Sequence, residues 1–414
     1  MGPCLGACPA YAFVARGSRG RGGFFDRLRR IVGLFNEIER KIRPASAVPQ
    51  QNSRKSDRLL CVMAGGTGGH VFPALAVAGL LREQGMEVFW IGTGRGLEAR
   101  LVPERGFPLE RIGIEGLRGK GPRQLLAAPF KLAAALYQAA AILRRRHPDL
   151  VLGVGGFASG PGGLMARLLG IPLVIQEQNR IPGLTNRWLS RLAVRVFEAF
   201  PGSFPPQRGA ITSGNPVRPE ILALKTPRER MAARFGPGRL LVIGGSLGAK
   251  ILNETVAGAV ATLPPERRPQ IRHQAGERTL ETARRAYLNA GVEAEVTPFI
   301  TDMAAAYAWA DLVVCRAGAL TVSELAAVGV GSILVPYPHA VDDHQTGNAC
   351  YLADVGAAHL LPQTELSPAS LGATLAGLVG DRSRLLAMAQ AARGRAEPDA
   401  AARIAQACWE VIKA

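Results

Sequence analysis

The chain lacks any run of about 18 uninterrupted apolar residues, so a simple membrane-spanning helix is not expected. Its 414 residues hold six cysteines, Cys4, Cys8, Cys61, Cys315, Cys350 and Cys408, with no C-x-x-C pair. That removes a zinc-ribbon reading and suits a reducing compartment in which thiols serve as small apolar side chains. The apolar stretch Ala10–Ala15 is short and its charges follow it, which makes a poor secretory signal. Catalytic signatures are missing too. There is no H-E-x-x-H, no G-x-S-x-G and no Cys/His cluster, and no glycine loop ends in G-K-[ST] or forms a clean G-x-G-x-x-G with a well-placed acid. These absences count against zincins, α/β-hydrolases, P-loop NTPases and nicotinamide enzymes. No D-x-D pair is present to clamp a metal on a diphosphate. Acidic residues are also scarce, 32 against 50 Lys and Arg, for a net charge of +18. Residues 1–58 hold 12 basic and 4 acidic side chains, so +8 lies there and +10 in the remainder. Both parts are basic. An anionic partner fits, whether phospholipid, nucleic acid or phosphorylated substrate, and so does plain solubility in an Arg-rich proteome. Aromatics are only 6% and no nucleic-acid-binding module is recognisable, which disfavours nucleic acid.

What is present looks globular, at 48% hydrophobic and 20% charged, and the length suggests two domains. Residues 1–23, rich in Gly and Arg, read as disordered. Phe24, Leu28, Ile31, Phe35, Ile38 and Ile42 then recur at helical spacing against Arg27, Arg29, Arg30, Arg40 and Lys41. This predicts a basic amphipathic helix ended by Pro44, suited to a membrane surface, to packing on its own protein, or to neither if the start codon is misassigned. Residues 44–57 read as a polar linker. From Leu59 strands alternate with helices. Leu59–Ala64 is a buried strand, Gly65–His70 a glycine turn, and a helical run follows from Pro73. Glu87–Ile91, Asp149–Val154 and Pro172–Gln176 read as further strands, with helices over Leu97–Glu104 and Pro122–Arg146. A basic glycine loop, Gly116–Gly121, and a second glycine loop, Gly155–Gly163, lie between them. The pattern resets near Gly214–Arg218. Arg239–Ile243, Glu293–Val296, Leu312–Cys315 and Ser332–Val335 are strands of a second unit, with its own glycine loop at Gly244–Lys250. The last helix, Ala400–Lys413, has no strand after it and is expected to cross back to the first unit. The result is an α/β chain of two Rossmann-like, doubly wound domains facing a cleft.

Free N–H groups at a helix start, with no Cβ in the way, make a place for an anion. Cys315–Glu324 has this form. Thr321 and Ser323 offer hydroxyls, and Glu324 could accept from a ribose diol. A capping box from Thr321 to Glu324 with no ligand is the competing reading. Asp342–Gln345, after the Pro-rich exit Val335–Pro338, suits sugar hydroxyls or simply solvent.

The segments GGTGGHVFPALAVA, GGFASGPGG, EQNRIPGLTN, SGNPVR, GGSLGAKILN, DMAAAYAWADLVVCRAGALTVSEL and DDHQTGNA occur in this order over about residues 58–414. Together they resemble the MurG family, the UDP-N-acetylglucosamine:undecaprenyl-diphospho-muramoylpentapeptide N-acetylglucosaminyltransferases of peptidoglycan synthesis. Residues 1–57 fall outside the resemblance. It implies a GT-B fold with an acceptor- and membrane-binding domain over 58–218, a UDP-sugar domain over 219–398, and a return helix over 399–414. It implies an inverting transfer with no cofactor and no essential metal. By the resemblance, the Ile300 backbone meets uracil, Glu324 the ribose, and Ser246 with Ala319, Leu320, Thr321, Val322 and Ser323 the diphosphate. Thr67, Gly68, Gly69, Asn179 and Gln345 meet the N-acetylglucosamine, and Arg218 steadies the nucleotide. Gly66, Gly156, Ser159 and Gly160 belong to the acceptor diphosphate site. One departure is His344 where the family has a Gln-Gln pair ending at Gln345, in a segment one residue longer. An inverting attack needs a base, and His70, a neutral imidazole near pH 7, is the first candidate. It could instead only orient the loop. Glu177 is the second candidate and could equally be structural. The implied partners are UDP-N-acetylglucosamine, the undecaprenyl-linked muramoyl-pentapeptide, an anionic membrane surface on the cytoplasmic side and other cell-wall synthesis proteins, with no nucleic acid. Leu125, Leu126, Phe130 and Leu132, with Arg118, Lys120, Arg123 and Lys131, would dock the membrane. Another glycolipid glycosyltransferase or a sugar-nucleotide epimerase keeps the fold with a different acceptor.

Overall fold

The computed structural model describes residues 58–66, 68–114, 127–232, 234–245 and 248–414. The expectations for residues 1–57, including the Phe24–Ile42 helix, lie outside these. So do those for the Gly116–Gly121 loop, Arg118, Lys120, Arg123, Leu125, Leu126, Thr67 and Ser246.

Seven parallel strands make the first sheet: β1 Leu59–Ala64, β2 Glu87–Gly92, β3 Leu109–Arg111, β4 Leu150–Gly155, β5 Leu173–Glu177, β6 Arg195–Glu198 and β7 Ile211–Thr212. Their order is β3-β2-β1-β4-β5-β6-β7. Six more make the second sheet: β8 Arg239–Ile243, β9 Gln270–Gln274, β10 Glu295–Thr297, β11 Leu312–Cys315, β12 Gly331–Leu334 and β13 Ala358–Leu360, in the order β10-β9-β8-β11-β12-β13. The strand order reverses between β1 and β4, and again between β8 and β11. In such sheets the crevice beyond the strand ends at that reversal is where ligands sit. Both glycine loops of the first half and the helix starts of the second stand there.

The central strands are apolar along their whole length because helices cover both faces. Leu60, Cys61, Val62, Met63 and Ala64 of β1 are all fully buried. Trp90 of β2 is buried beside them, and its indole N–H donates to the Ala64 carbonyl at 2.8 Å. Each such side chain contributes about 1.5–3 kcal/mol by leaving water, so the sheets are fixed chiefly by their centres. Cys61, Cys315 and Cys408 are buried free thiols.

The first helix runs Gly68–Glu83, so it opens on the two glycines and carries Pro73 inside it, five residues earlier than its apolar pattern suggests. The glycines are therefore not a turn before a helix but its first, unpaired N–H groups. The helix expected from Pro122 is described over Ala128–Arg146. The terminal helix Ala400–Lys413 packs on the first sheet, not the second. Ile404, Ala405 and Cys408 share a core with Leu60, Val62, Leu81 and Trp90. The Trp409 indole N–H donates to the Gln84 side-chain oxygen at 2.7 Å. Among the described residues no helix is long and apolar enough to cross a membrane.

Candidate functional site

The loops of the first sheet interlock. The Gly65 N–H donates to the Gly155 carbonyl at 3.3 Å. Gly156 has φ +89°, and a Cβ there would stand 2.3 Å from the Gly65 carbonyl oxygen, so only glycine lets the loops approach. Gly66, at φ +95°, donates its N–H to Glu98 Oε2 at 2.9 Å. That commitment runs against an acceptor-diphosphate role for the Gly66 N–H. Ser159 differs from expectation as well. Fully buried, its hydroxyl lies 2.8 Å from both the Met63 and Gly155 carbonyls and accepts the Gly155 N–H at 3.2 Å. It ties β1 to β4, and no phosphate can reach it. Gly160 sits one residue on in helix Ser159–Leu168.

His70 is the third residue of its helix, and its ring lies on the backbone of Gly155. A Cβ at Gly155 would be 2.6 Å from Cδ2 and 2.9 Å from Nε2. The residue is half-buried, yet Nδ1 is shielded and has no hydrogen-bond partner. Burial pushes the imidazole down from 6.5 to about 4, the nearby His344 adds to this, and the Glu98 carboxylate opposes it. His70 is thus neutral at pH 7 and can accept a proton.

Glu177 is placed differently. It is buried, and Oε1 accepts from the Asn179 N–H at 2.8 Å and the Asn179 side-chain amide at 3.2 Å. Oε2 accepts from the Gly183 N–H at 3.2 Å and from Asn186 Nδ2 at 3.0 Å. Burial raises its pKa and these donors oppose the rise. With four donors on two oxygens it has no site left for an attacking hydroxyl, so it braces the loop, and the expectation of a second base fails on geometry.

Asn179 also reaches across the cleft. Its Oδ1 accepts from Asn348 Nδ2 at 3.2 Å, while Asn348 Oδ1 accepts the Arg180 N–H at 2.8 Å and Nδ2 donates to the Ala317 carbonyl at 3.2 Å. Asn348 is fully buried. The sequence reading gave it no role, although it lies inside the DDHQTGNA segment. A second bridge runs from Asn215, whose amide donates to the Ser323 hydroxyl at 3.0 Å and the Gln178 carbonyl at 3.1 Å.

On the second sheet, helix Ala319–Val328 starts after Gly318 with no side-chain cap, so the capping-box reading of Thr321 and Glu324 is not what forms. The N–H groups of Ala319, Leu320 and Thr321 are the unpaired ones of that helix start. The Val322 N–H is spent on the Gly318 carbonyl at 2.9 Å and its side chain is in the core, so Val322 cannot face a diphosphate as expected. The Ser323 hydroxyl accepts from the Asn215 amide, which leaves its proton to donate elsewhere. Glu324 is buried. Oε1 accepts from Arg218 Nε at 3.3 Å and Nη2 at 3.0 Å, and Oε2 from the Tyr307 hydroxyl at 3.0 Å. Burial raises its pKa and Arg218 lowers it. Arg218 therefore faces a carboxylate directly, and Tyr307 is a site residue that sequence reading missed. Ile300 lies between β10 and helix Met303–Trp309 against the second core. Gln345 Oε1 accepts the Tyr337 N–H at 2.9 Å. Among the described residues no group of three or more His, Cys, Asp or Glu could hold a metal ion.

Comparison with known proteins agrees over both halves. The glycosyltransferase family 28 N-terminal domain matches residues 60–198, and the family 28 C-terminal domain matches residues 239–404. The UDP-N-acetylglucosamine–N-acetylmuramyl-(pentapeptide) pyrophosphoryl-undecaprenol N-acetylglucosamine transferase of Nitrosococcus oceani is 60% identical over 350 residues, covering 84% of this chain and 98% of that protein. The transferase of the same name from Marinobacter nauticus is 55% identical over 353 residues, 85% of this chain and 97% of its own. Among solved structures, Acinetobacter baumannii MurG is 43% identical with a TM-score of 0.75, covering 85% of this chain and 99% of that one.

Proposed function

The chain belongs to glycosyltransferase family 28, in its MurG branch, and on that premise we infer the reaction it performs and how its site performs it. It is a GT-B enzyme of cell-wall synthesis. It transfers N-acetylglucosamine from UDP-N-acetylglucosamine to undecaprenyl-diphospho-N-acetylmuramoyl-pentapeptide, making lipid II from lipid I. The observation that carries this is identity of 60% to a transferase of that name over 98% of its length. Incubating the full chain with labelled UDP-N-acetylglucosamine and the lipid-linked acceptor yields labelled lipid. No labelled lipid would overturn the reading.

Within that reaction the two sheets have separate tasks. Residues 58–218 hold the acceptor, 219–398 the nucleotide sugar, 1–57 are an extension and 399–414 a return helix. The departing UDP needs its charge neutralised, and the unpaired N–H groups of Ala319–Thr321 offer this without a metal. Glu324 is kept in place by Arg218 and Tyr307, with three of its lone-pair positions used, and the fourth is open to a ribose hydroxyl. Ile300 offers backbone groups to uracil. Asn179 and Gln345 flank the sugar with the Gly68–Gly69 helix start, and Gly156 and Gly160 line the acceptor's diphosphate. His70 takes the proton from the muramoyl 4-hydroxyl as that oxygen bonds to C1 and the C1–phosphate bond breaks on the opposite face.

The acceptor is a lipid, so the enzyme works at a membrane surface, on its cytoplasmic face, as a peripheral protein. On helix Ala128–Arg146, Phe130 is 78% exposed and Leu132 48%, with Lys131 between them. Apolar side chains beside a cation suit an anionic bilayer. An epimerase or another glycolipid transferase would share the nucleotide side. The Gly155–Gly163 and Glu177–Asn179 segments, which match the lipid-linked muramoyl acceptor family, count against both.

A further inference from the structure

No sequence pattern marks Glu98, yet among the described residues it is the most enclosed acidic side chain of the first domain. It opens the short helix Glu98–Glu104 and is 0% exposed. Burying a carboxylate is costly unless donors surround it, and here they do. Oε1 accepts the Thr93 N–H at 3.0 Å and the Thr93 hydroxyl at 2.7 Å, and Oε2 accepts the Gly66 N–H at 2.9 Å. The Thr93 hydroxyl in turn accepts the Gly96 N–H at 3.3 Å, which leaves its proton for Glu98. Three glycines make room. A Cβ on Gly65 would stand 2.7 Å from Oε1, one on Gly92 2.8 Å from Cγ, and one on Gly96 1.9 Å from Oε2. Glycine is thus required at three positions around one carboxylate, which is more than a loop needs for turning.

The held peptide leads into the His70 helix. The Leu97 N–H donates to the Gly66 carbonyl at 3.2 Å, while on the other side the Gly65 N–H is held by Gly155. The Gly65–Gly66 segment is fixed from both faces, and only the Glu98 face carries a charge.

We propose that Glu98 is a positioning residue for the transfer, holding the Gly66 peptide so that the helix beginning at Gly68 delivers His70 to the acceptor hydroxyl. The inference rests on the reading of His70 as base. The Glu98 carboxylate acts on His70 in a second way. Of the two titratable side chains that act on His70, Glu98 favours the protonated ring and His344 disfavours it. Glu98 thus stabilises the imidazolium that forms as the base takes its proton. It also fills the Gly66 N–H from beneath, so the acceptor diphosphate must find its donors elsewhere.

The test uses the full-length enzyme with the lipid-linked acceptor. Glu98→Gln keeps the shape, removes the charge and sets an amide N–H against the donors of Gly66 or Thr93. Thr93→Val removes one donor and is the milder variant should Glu98→Gln not fold. Functional enzyme is counted by calorimetric titration with UDP, which binds the other domain. Turnover per UDP-binding site should fall about ten- to a hundredfold in Glu98→Gln, the scale of a displaced catalytic group, and less in Thr93→Val, with UDP affinity kept. Parental turnover per site in Glu98→Gln overturns the proposal, and loss of a residue that only stabilises the first domain would slow His70→Ala by the same factor as the parent enzyme, which overturns it too. His70→Ala and the double variant locate the effect. If Glu98 works through His70, the double variant is no slower than His70→Ala, and additive losses overturn it. Parental turnover in His70→Ala alone would instead overturn the assignment of the base, an outcome distinct from a parental Glu98→Gln.

Discussion

The two glycine loops after β1 and β8 have the same plan, yet what lies beneath them differs in charge. Both use left-handed glycines, Gly66 at φ +95° in one and Gly245 and Gly248 at +77° in the other. The first is braced by the Glu98 carboxylate. The second rests on a neutral chain. The Asn253 amide donates to the Ala275 carbonyl at 2.9 Å and the Thr279 carbonyl at 3.3 Å, so its oxygen accepts from His273 Nε2 at 2.9 Å. His273 Nδ1 then accepts from the Tyr287 hydroxyl at 2.9 Å. Burial lowers His273 to about 4 and raises Tyr287 above its ordinary value, so the chain stays uncharged at neutral pH. On the proposed reading, a brace without charge leaves the positive field at the start of the helix after β8 intact for a nucleotide diphosphate. A carboxylate under the first loop cancels part of that field and favours a proton-accepting imidazole. On that reading one backbone motif serves two chemistries because the residue behind it changes.

The contrast can be broken most sharply at His70. His70→Ala should lower turnover about 10²–10⁴-fold at saturating substrates, the usual contribution of a general base, and leave UDP affinity where it was. Loss of UDP affinity would mean that the loops do not divide the work. Next comes pH. His70 works only when neutral, and its pKa is depressed, so activity is present above that value and lost as pH falls through it. The acid limb of kcat/KM, which reports the free enzyme, should lie near 4 instead of 6.5, with enzyme returned to pH 7 recovering its rate. A limb at 6.5 would place His70 in water. Smaller is the membrane effect. Phe130→Ser with Leu132→Ser should weaken flotation with anionic vesicles about tenfold, as two side chains lose part of their apolar transfer, while UDP binding stays. Comparing the full chain with one starting at Lys55 adds the contribution of the first residues. Smallest is Tyr287→Phe. Leaving the buried His273 Nδ1 without a donor should cost about 1–2 kcal/mol of stability by thermal melting and weaken UDP, with acceptor KM unmoved. A shift in acceptor KM instead would join the two loops into one device.

Much of the fold is legible in the chain because the central strands are unbroken apolar runs. β1, β8 and β11 have the limits that the pattern predicts. The short strands β3, β7 and β13, of two or three residues, carry too little pattern to see, and β9, Gln-Ile-Arg-His-Gln, hides because His273 of the buried network and the buried Gln274 stand where apolar side chains are expected. The site is legible as loops and not as atoms. A motif marks where glycines turn but not which polar groups are already spent, which is why Gly66, Ser159 and Val322 read as ligand contacts. Glu98 and Asn348 are silent for another reason. Glu98 reaches Gly66 and Asn348 reaches Arg180, 32 and 168 residues away, and no local periodicity records such a pairing.

The return of helix Ala400–Lys413 to the first sheet has a consequence for how the molecule is made. The second sheet and its helices come from one continuous stretch, but the first lacks part of its core until Ile404, Ala405 and Cys408 arrive. On the ribosome, where domains ordinarily fold in the order they emerge, the first domain is begun first and finished last. Its exposed apolar face waits through the synthesis of the whole second domain, until the 14-residue helix Ala400–Lys413 closes it.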